Sequence, residues 1–160
     1  MEELSHRDSY EEPIAALRCL KGIDTTAAMT IHVEIEDFTR FPTAKAFTAY
    51  LGLTPSEQSS GEKISRSAIT KQGNSTVRST LVECANALVK GVIGIKSKRV
   101  KARQKGQKCK VIAYADRAIE RLQRKYHRMI YQGRPRNVAI TAIARELACF
   151  IWGIETQKID

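Results

Sequence analysis

Apolar residues recur at helical spacing along most of the chain. Ile14, Leu17 and Leu20 lie three apart after Pro13, a residue suited to the first turn of a helix. Lys21-Gly22-Ile23-Asp24 breaks the pattern, and Asp24 or Thr25 is placed to cap a second helix running to about Asp37. Phe41-Pro42-Thr43 signals a restart into residues 44–51, with Gly52 as the stop. From Leu53 to Asn74 the periodicity disappears. Ser, Thr, Gly, Lys and Arg dominate there, and Ile64 to Ile69 suits a short extended piece. Asn74 or Ser75 caps a long helix carrying Val77, Leu81, Ala85, Leu88 and Val89. Residues 96–110 are too basic to show a clear period and fit a hairpin or a solvated loop. Ile112, Ala115, Ile119, Leu122, Tyr126 and Met129 define a helix over about 111–131, ended by Gly133-Arg134-Pro135. A final helix from Asn137 to about Gly153 is largely apolar and is expected to be the most buried.

This pattern predicts a mainly α fold. It is a helical bundle with a helix-hairpin-helix-like start and a short irregular or β-like insertion at about 53–74. The 160 residues suit one domain, and hydrophobic residues at 42% supply a core. Aromatics are only 6%, so the core rests on Ala, Leu, Ile and Val, which favours packed helices over a sandwich of sheets.

Charge changes the picture most. The formal net charge is +10, and a domain this basic usually meets a polyanion, nucleic acid first. No segment reads as long and apolar enough to span a membrane, and no lipidation or signal-peptide pattern is visible, so no membrane partner is expected. Cys19, Cys84, Cys109 and Cys149 form no C-x-x-C pair and read as buried small hydrophobes in a reducing cytoplasm. His6, His32 and His127 are far apart in sequence, and no metal site is read.

Three features carry candidate chemistry. Leu17 to Ala28 resembles a helix-hairpin-helix, in which the Gly22 turn and the next helix's amides would hold a DNA phosphate; an ordinary αα-corner reads equally well. Asp24 stands where that device usually has a second glycine, and a carboxylate there repels phosphate. In the loop, Ser59-Ser60-Gly61 is followed by Lys63, Arg66 and Lys71, cations suited to neutralising a phosphate beside a hydroxyl. The basic run offers Lys98, Arg99, Lys101 and Arg103 to a nucleic-acid backbone. Arg117, Arg121, Arg124, Lys125 and Arg128 extend that charge.

The ordered blocks Lys21-Gly22-Ile23-Asp24, Arg40-Phe41-Pro42, Tyr50 to Glu57, Ser59-Ser60-Gly61-Glu62 and Ile69 to Asn74 carry a resemblance. So do Asn137-Val138-Ala139, Ala144 to Leu147 and Phe150-Ile151-Trp152. Together they resemble the C-terminal domain of the insertion-sequence 110/116/902 transposases, the RNA-guided bridge recombinases. The resemblance implies a serine nucleophile that links covalently to a DNA end, mapped onto Ser60 with Ser59 as the fallback. It implies a separate N-terminal RNase H-like domain whose acidic residues hold magnesium. On this reading residues 1–12 are a polar stump, 13–155 are the C-terminal domain, and the acidic domain is missing. The chain then binds no cofactor itself, is silent alone, and needs Mg2+ only with that other domain. DNA, a guide RNA and further copies of the full-length enzyme are the implied partners, in a bacterial or archaeal cytoplasm at the nucleoid. The rival reading is a non-catalytic nucleic-acid-binding helical module; a third is a helical interaction domain.

Overall fold

The computed structural model describes residues 8–53, 58–59, 64–65 and 74–159, with residues 58–59 and 64–65 as backbone. Among them are seven α-helices. These are α1 (Asp8–Leu17), α2 (Thr25–Ile35), α3 (Ala44–Tyr50), α4 (Ser75–Leu88), α5 (Lys98–Gln104), α6 (Cys109–Tyr131) and α7 (Arg136–Glu155). A 3-10 turn covers Phe38–Arg40. Two short strands, β1 (Gln58–Ser59) and β2 (Ile64–Ser65), pair antiparallel, with Gln58 opposite Ser65 and Ser59 opposite Ile64. The fold is the expected mainly α bundle, and the β-like insertion falls inside 53–74.

Helix α7 is the axis. α1, α3, α4 and α6 all pack against it. It buries residues on every side, from Ala139 and Ile140 through Ile143, Leu147 and Ile151 to Ile154. A helix apolar all round is one surrounded by others. Its small residues let neighbours come close: a Cβ at Gly153 would run into the Tyr114 hydroxyl. One expectation is corrected here. With a mean hydropathy of 1.4, Arg136–Glu155 is long and apolar enough to cross a membrane by length and composition, and 61% of that stretch is buried within this fold.

Short polar side chains set the helix starts. Asp24 accepts from the Ala27 amide (2.8 Å), Thr43 from Ala46 (3.1 Å) and Asn74 from Val77 (3.0 Å). Gly52, at φ 73°, ends α3 as predicted. Its amide donates to the Ala49 carbonyl and the Leu53 amide to the Thr48 carbonyl, both at 3.1 Å. That is a Schellman closure, with Leu53 fully buried as its apolar contact.

Three local expectations fail. Helix α1 begins at Asp8, so Pro13 lies inside it rather than at its start. Burying Ile14 and Leu17 against α2 and α7 outweighs the one hydrogen bond a proline forfeits. Residues 98–104 form α5, neither hairpin nor loop: Ser97 caps it (3.3 Å to the Val100 amide) and it buries Val100 and Gln104 on one face. Cys109 is exposed and Cys149 half-buried, so only Cys19 and Cys84 are the buried thiols expected of all four.

Candidate nucleic-acid interface

Ser60, Lys63, Arg66 and Lys71 lie outside the described residues, and Ser59 is described only as backbone in β1. What is described is how the polar segment enters and leaves. At its entry, Arg78 Nη1 donates to the Leu51 carbonyl (3.0 Å) and Arg145 Nε to the Leu53 carbonyl (2.8 Å). At its exit, Asn74 caps α4 while its Nδ2 donates to Glu34 Oε2 (2.9 Å). Both ends are therefore tied to the bundle by side chains distant in sequence. Burial pushes the half-buried Arg145 guanidinium below its ordinary pKa.

The Gly22 corner is built for packing. Gly22 has φ +91°, and a Cβ there would lie 2.5 Å from the Cys84 carbonyl oxygen and 3.1 Å from the Leu88 nitrogen, both on α4. The amide end of α2, where a phosphate would sit, is already taken by the Asp24 carboxylate. Both features serve the packing and capping of the corner between α1 and α2.

Helix α5 divides its cations. Lys98, Arg99 and Lys101 are exposed. Arg103 turns inward, and its Nη1 donates to the Ile23 carbonyl (3.1 Å), fastening α5 across the corner. Burial lowers its pKa, helped by the charges of Arg18 and Arg99 and opposed by Asp24. Beside it Gln104, almost fully buried, donates to the Cys19 carbonyl (3.1 Å) and Asp116 (2.9 Å) and accepts from Lys96 (2.6 Å). The inner face of α5 is thus fully used, and three of its four candidate cations face solvent.

Helix α6 continues the charge. Arg117, Arg121, Arg124 and Arg128 follow at spacings of four, three and four, one face of a helix, and all are exposed. Arg124 pairs with Glu120 (2.8 Å). Arg121 and Lys125 share Glu146, the latter at 2.7 Å. Arg117 and Arg128 face no carboxylate among the described residues. No group of three His, Cys, Asp or Glu side chains comes together among the described residues.

The sequence model of the IS116/IS110/IS902 family of transposases matches residues 14–100, more than half of the chain. The chain belongs to that family. The matched stretch runs from α1 into α5 and takes in the serine segment. Among relatives, a Sinorhizobium fredii protein named as transposase y4qE is 41% identical over 145 residues, 90% of this chain and 36% of its own length. The transposase of insertion sequence element IS1111A from Coxiella burnetii is 26% identical over 157 residues, 98% of this chain and 36% of its own. A family 20 transposase of Pseudomonas aeruginosa is 25% identical over 145 residues, again 36% of its length. This transposase-family chain therefore spans about a third of the length of the relatives it matches.

Sequence reasoning missed the two anchoring arginines, Arg78 and Arg145, because a bond to a distant carbonyl leaves no local signature. It also passed over Tyr131, which stands three residues beyond Arg128 on the same helical face and is 93% exposed.

Proposed function

We propose that this chain is the DNA-contacting, serine-bearing portion of a transposase and is inactive without the rest of the enzyme. The observation that carries the reading is the row of outward cations on α5 and α6 in a chain of this family. Lys98, Arg99 and Lys101 would pair with phosphates of a DNA backbone, and Arg117 would extend the contact. Gly22 and Arg103, candidates on sequence grounds, support the interface by holding α5 and the α1–α2 corner in place.

For the chemistry, the reading takes Ser60, with Ser59 as the fallback. The serine oxygen attacks a DNA phosphorus and forms the O–P bond of a phosphoserine link, the bond from phosphorus to a deoxyribose oxygen breaks, and the serine's proton is passed on to the departing oxygen, which leaves as a hydroxyl. Lys63, Arg66 and Lys71 would neutralise the phosphate as charge builds. The anchored ends of the segment support this role, since a nucleophile must be held in register with its target. On this reading the metal-holding carboxylates belong to an RNase H-like domain outside these 160 residues, with magnesium needed only there. A guide RNA, assembly with further copies and a place at the bacterial or archaeal nucleoid follow from the same reading.

Two measurements test it. Binding of the 160-residue chain to duplex DNA should weaken steeply with salt, and replacing Lys98, Arg99 and Lys101 by Ala should lower both affinity and salt slope. In the full-length enzyme, Ser60→Ala should abolish strand transfer and leave DNA affinity intact. No binding at physiological salt would overturn the interface. Full strand transfer by both Ser60→Ala and Ser59→Ala would overturn the nucleophile and leave a non-catalytic binding module.

A further inference from the structure

Tyr131, the last residue of α6, is the most exposed large hydrophobic side chain among the described residues. Of six exposed large hydrophobics among the described residues, three lie in the helix ends that flank the α6–α7 turn: Ile130 (39%), Tyr131 (93%) and Val138 (45%). A tyrosine ring offers roughly 150–250 Å² for burial, so leaving it wet forgoes a large contact. Tyr131 makes none of the ring pairs that occupy Tyr10, Tyr50, Tyr114 and Tyr126.

The ring is not on a loose end. Gly133, at φ +83°, closes α6 with the Gly133 amide on the Ile130 carbonyl and the Arg134 amide on the Met129 carbonyl, both at 3.0 Å. Pro135, at φ −57°, then leads directly into α7. The backbone of the turn is fixed from both sides, so a stacked ligand would have to order only the Tyr131 side chain.

Around it the charge is of one sign. Between Arg121 and Arg145 the chain has no Asp or Glu. Arg128 lies one turn back on the Tyr131 face, Arg134 lies in the turn, and Arg136 follows, held by Asn86 Oδ1 (2.7 Å). The nearest acids along the hairpin, Glu120 and Glu146, are already engaged by Arg124 and by Arg121 with Lys125.

A wet aromatic face among uncompensated guanidiniums suits one ligand chemistry: an unpaired base with phosphates on either side. The base stacks on the ring, and the arginines take the phosphates. A paired duplex hides its base faces and gains nothing from the ring. We propose that Tyr131, with Arg128 and Arg134, forms a stacking site for a single strand, separate from the duplex-contacting cations of α5. This deepens the nucleic-acid reading above and rests on it.

The test measures binding of the 160-residue chain to an oligo-dT 20-mer, an oligo-U 20-mer and a 20-base-pair duplex at one salt concentration. Tyr131→Ala should lose about 5- to 100-fold on a single strand, the effect of one stacked base, and change little on the duplex. Tyr131→Phe should bind as the parent does. A greater loss on oligo-dT than on oligo-U would assign the site to DNA, the reverse to RNA, and either supports it. Unchanged single-strand binding in Tyr131→Ala, while the parent still binds duplex, would overturn the stacking site alone. An equal loss on all three ligands would overturn it as well. A parent chain that binds none of them would overturn the nucleic-acid reading itself.

Discussion

Arg145, midway along α7, donates its Nε hydrogen to the carbonyl of Leu53, 92 residues earlier and 2.8 Å away. Leu53 is fully buried and is the last described residue before the polar segment. The central helix of the bundle therefore fixes the point from which the candidate serine segment departs. Arg145→Ala leaves the carbonyl without a partner and is expected to cost about 1–3 kcal/mol, because a buried acceptor then carries its full desolvation penalty. For a chain of this size that is a fall in Tm of roughly 3–10 °C. Thermal unfolding followed by circular dichroism checks it; a Tm within a degree of the parent's would show that the bond carries no weight.

Gly22 offers a sharper contrast between packing and phosphate contact. Gly22→Ala places a Cβ 2.5 Å from the Cys84 carbonyl oxygen at a φ of +91°. Left-handed strain and overpacking add to about 2–4 kcal/mol. The variant should melt well below the parent, yet bind nucleic acid normally at temperatures where it remains folded. A loss of affinity without a loss of stability would restore Gly22 to the interface.

Acid should weaken the α6–α7 contact. Burial of Glu146 opposes its ionisation, but hydrogen bonds from Lys125 and Arg121, together with their charges, prevail and hold the carboxyl below its ordinary value of 4.5. A carboxyl with a depressed folded-state pKa adds stability that is complete above the unfolded value and is lost as pH falls through the folded one. Glu146→Gln should therefore melt lower than the parent at neutral pH, by about 1–2 kcal/mol. The two melting curves should converge as the pH drops below 4.5. A constant gap across that range would remove the pair from the explanation.

The thiols should separate by burial. Burial, with the charges of Asp24 and Glu83, pushes Cys84 up to about 12, and burial with Asp116 pushes Cys19 to about 11. Cys149 is raised by burial and by Glu146, whereas Cys109 lies exposed at the start of α6. A thiol reagent at mildly alkaline pH should modify Cys109 rapidly and the others only on unfolding. Cys109→Ser should abolish the fast phase.

Much of the fold was legible because it is written in local chemistry. Asp24, Thr43 and Asn74 cap helices by short-range bonds, and Gly52 supplies a left-handed residue that its position demands. Helix α5 was not legible, since only Val100 and Gln104 are buried in it and one of these is polar. Its place is set by Gln104 and Arg103 reaching carbonyls of Cys19 and Ile23, partners some 80 residues away. Pro13 misled for a related reason: long-range burial overrode a local rule. At the candidate site, sequence supplied the outward cations Lys98, Arg99 and Lys101. It did not set Arg103 apart, whose charge looks the same in sequence whether it faces water or a carbonyl.

The central position of α7 has a consequence for how the chain is made. The helices that pack on it, α1, α3, α4 and α6, all precede it in sequence. As the chain leaves the ribosome, each emerges before the surface it must cover, and none can bury the face it turns to α7 until that helix appears. Completion of the core must wait until residues 136–155 are free, and until then apolar faces of the earlier helices stay open to neighbouring chains.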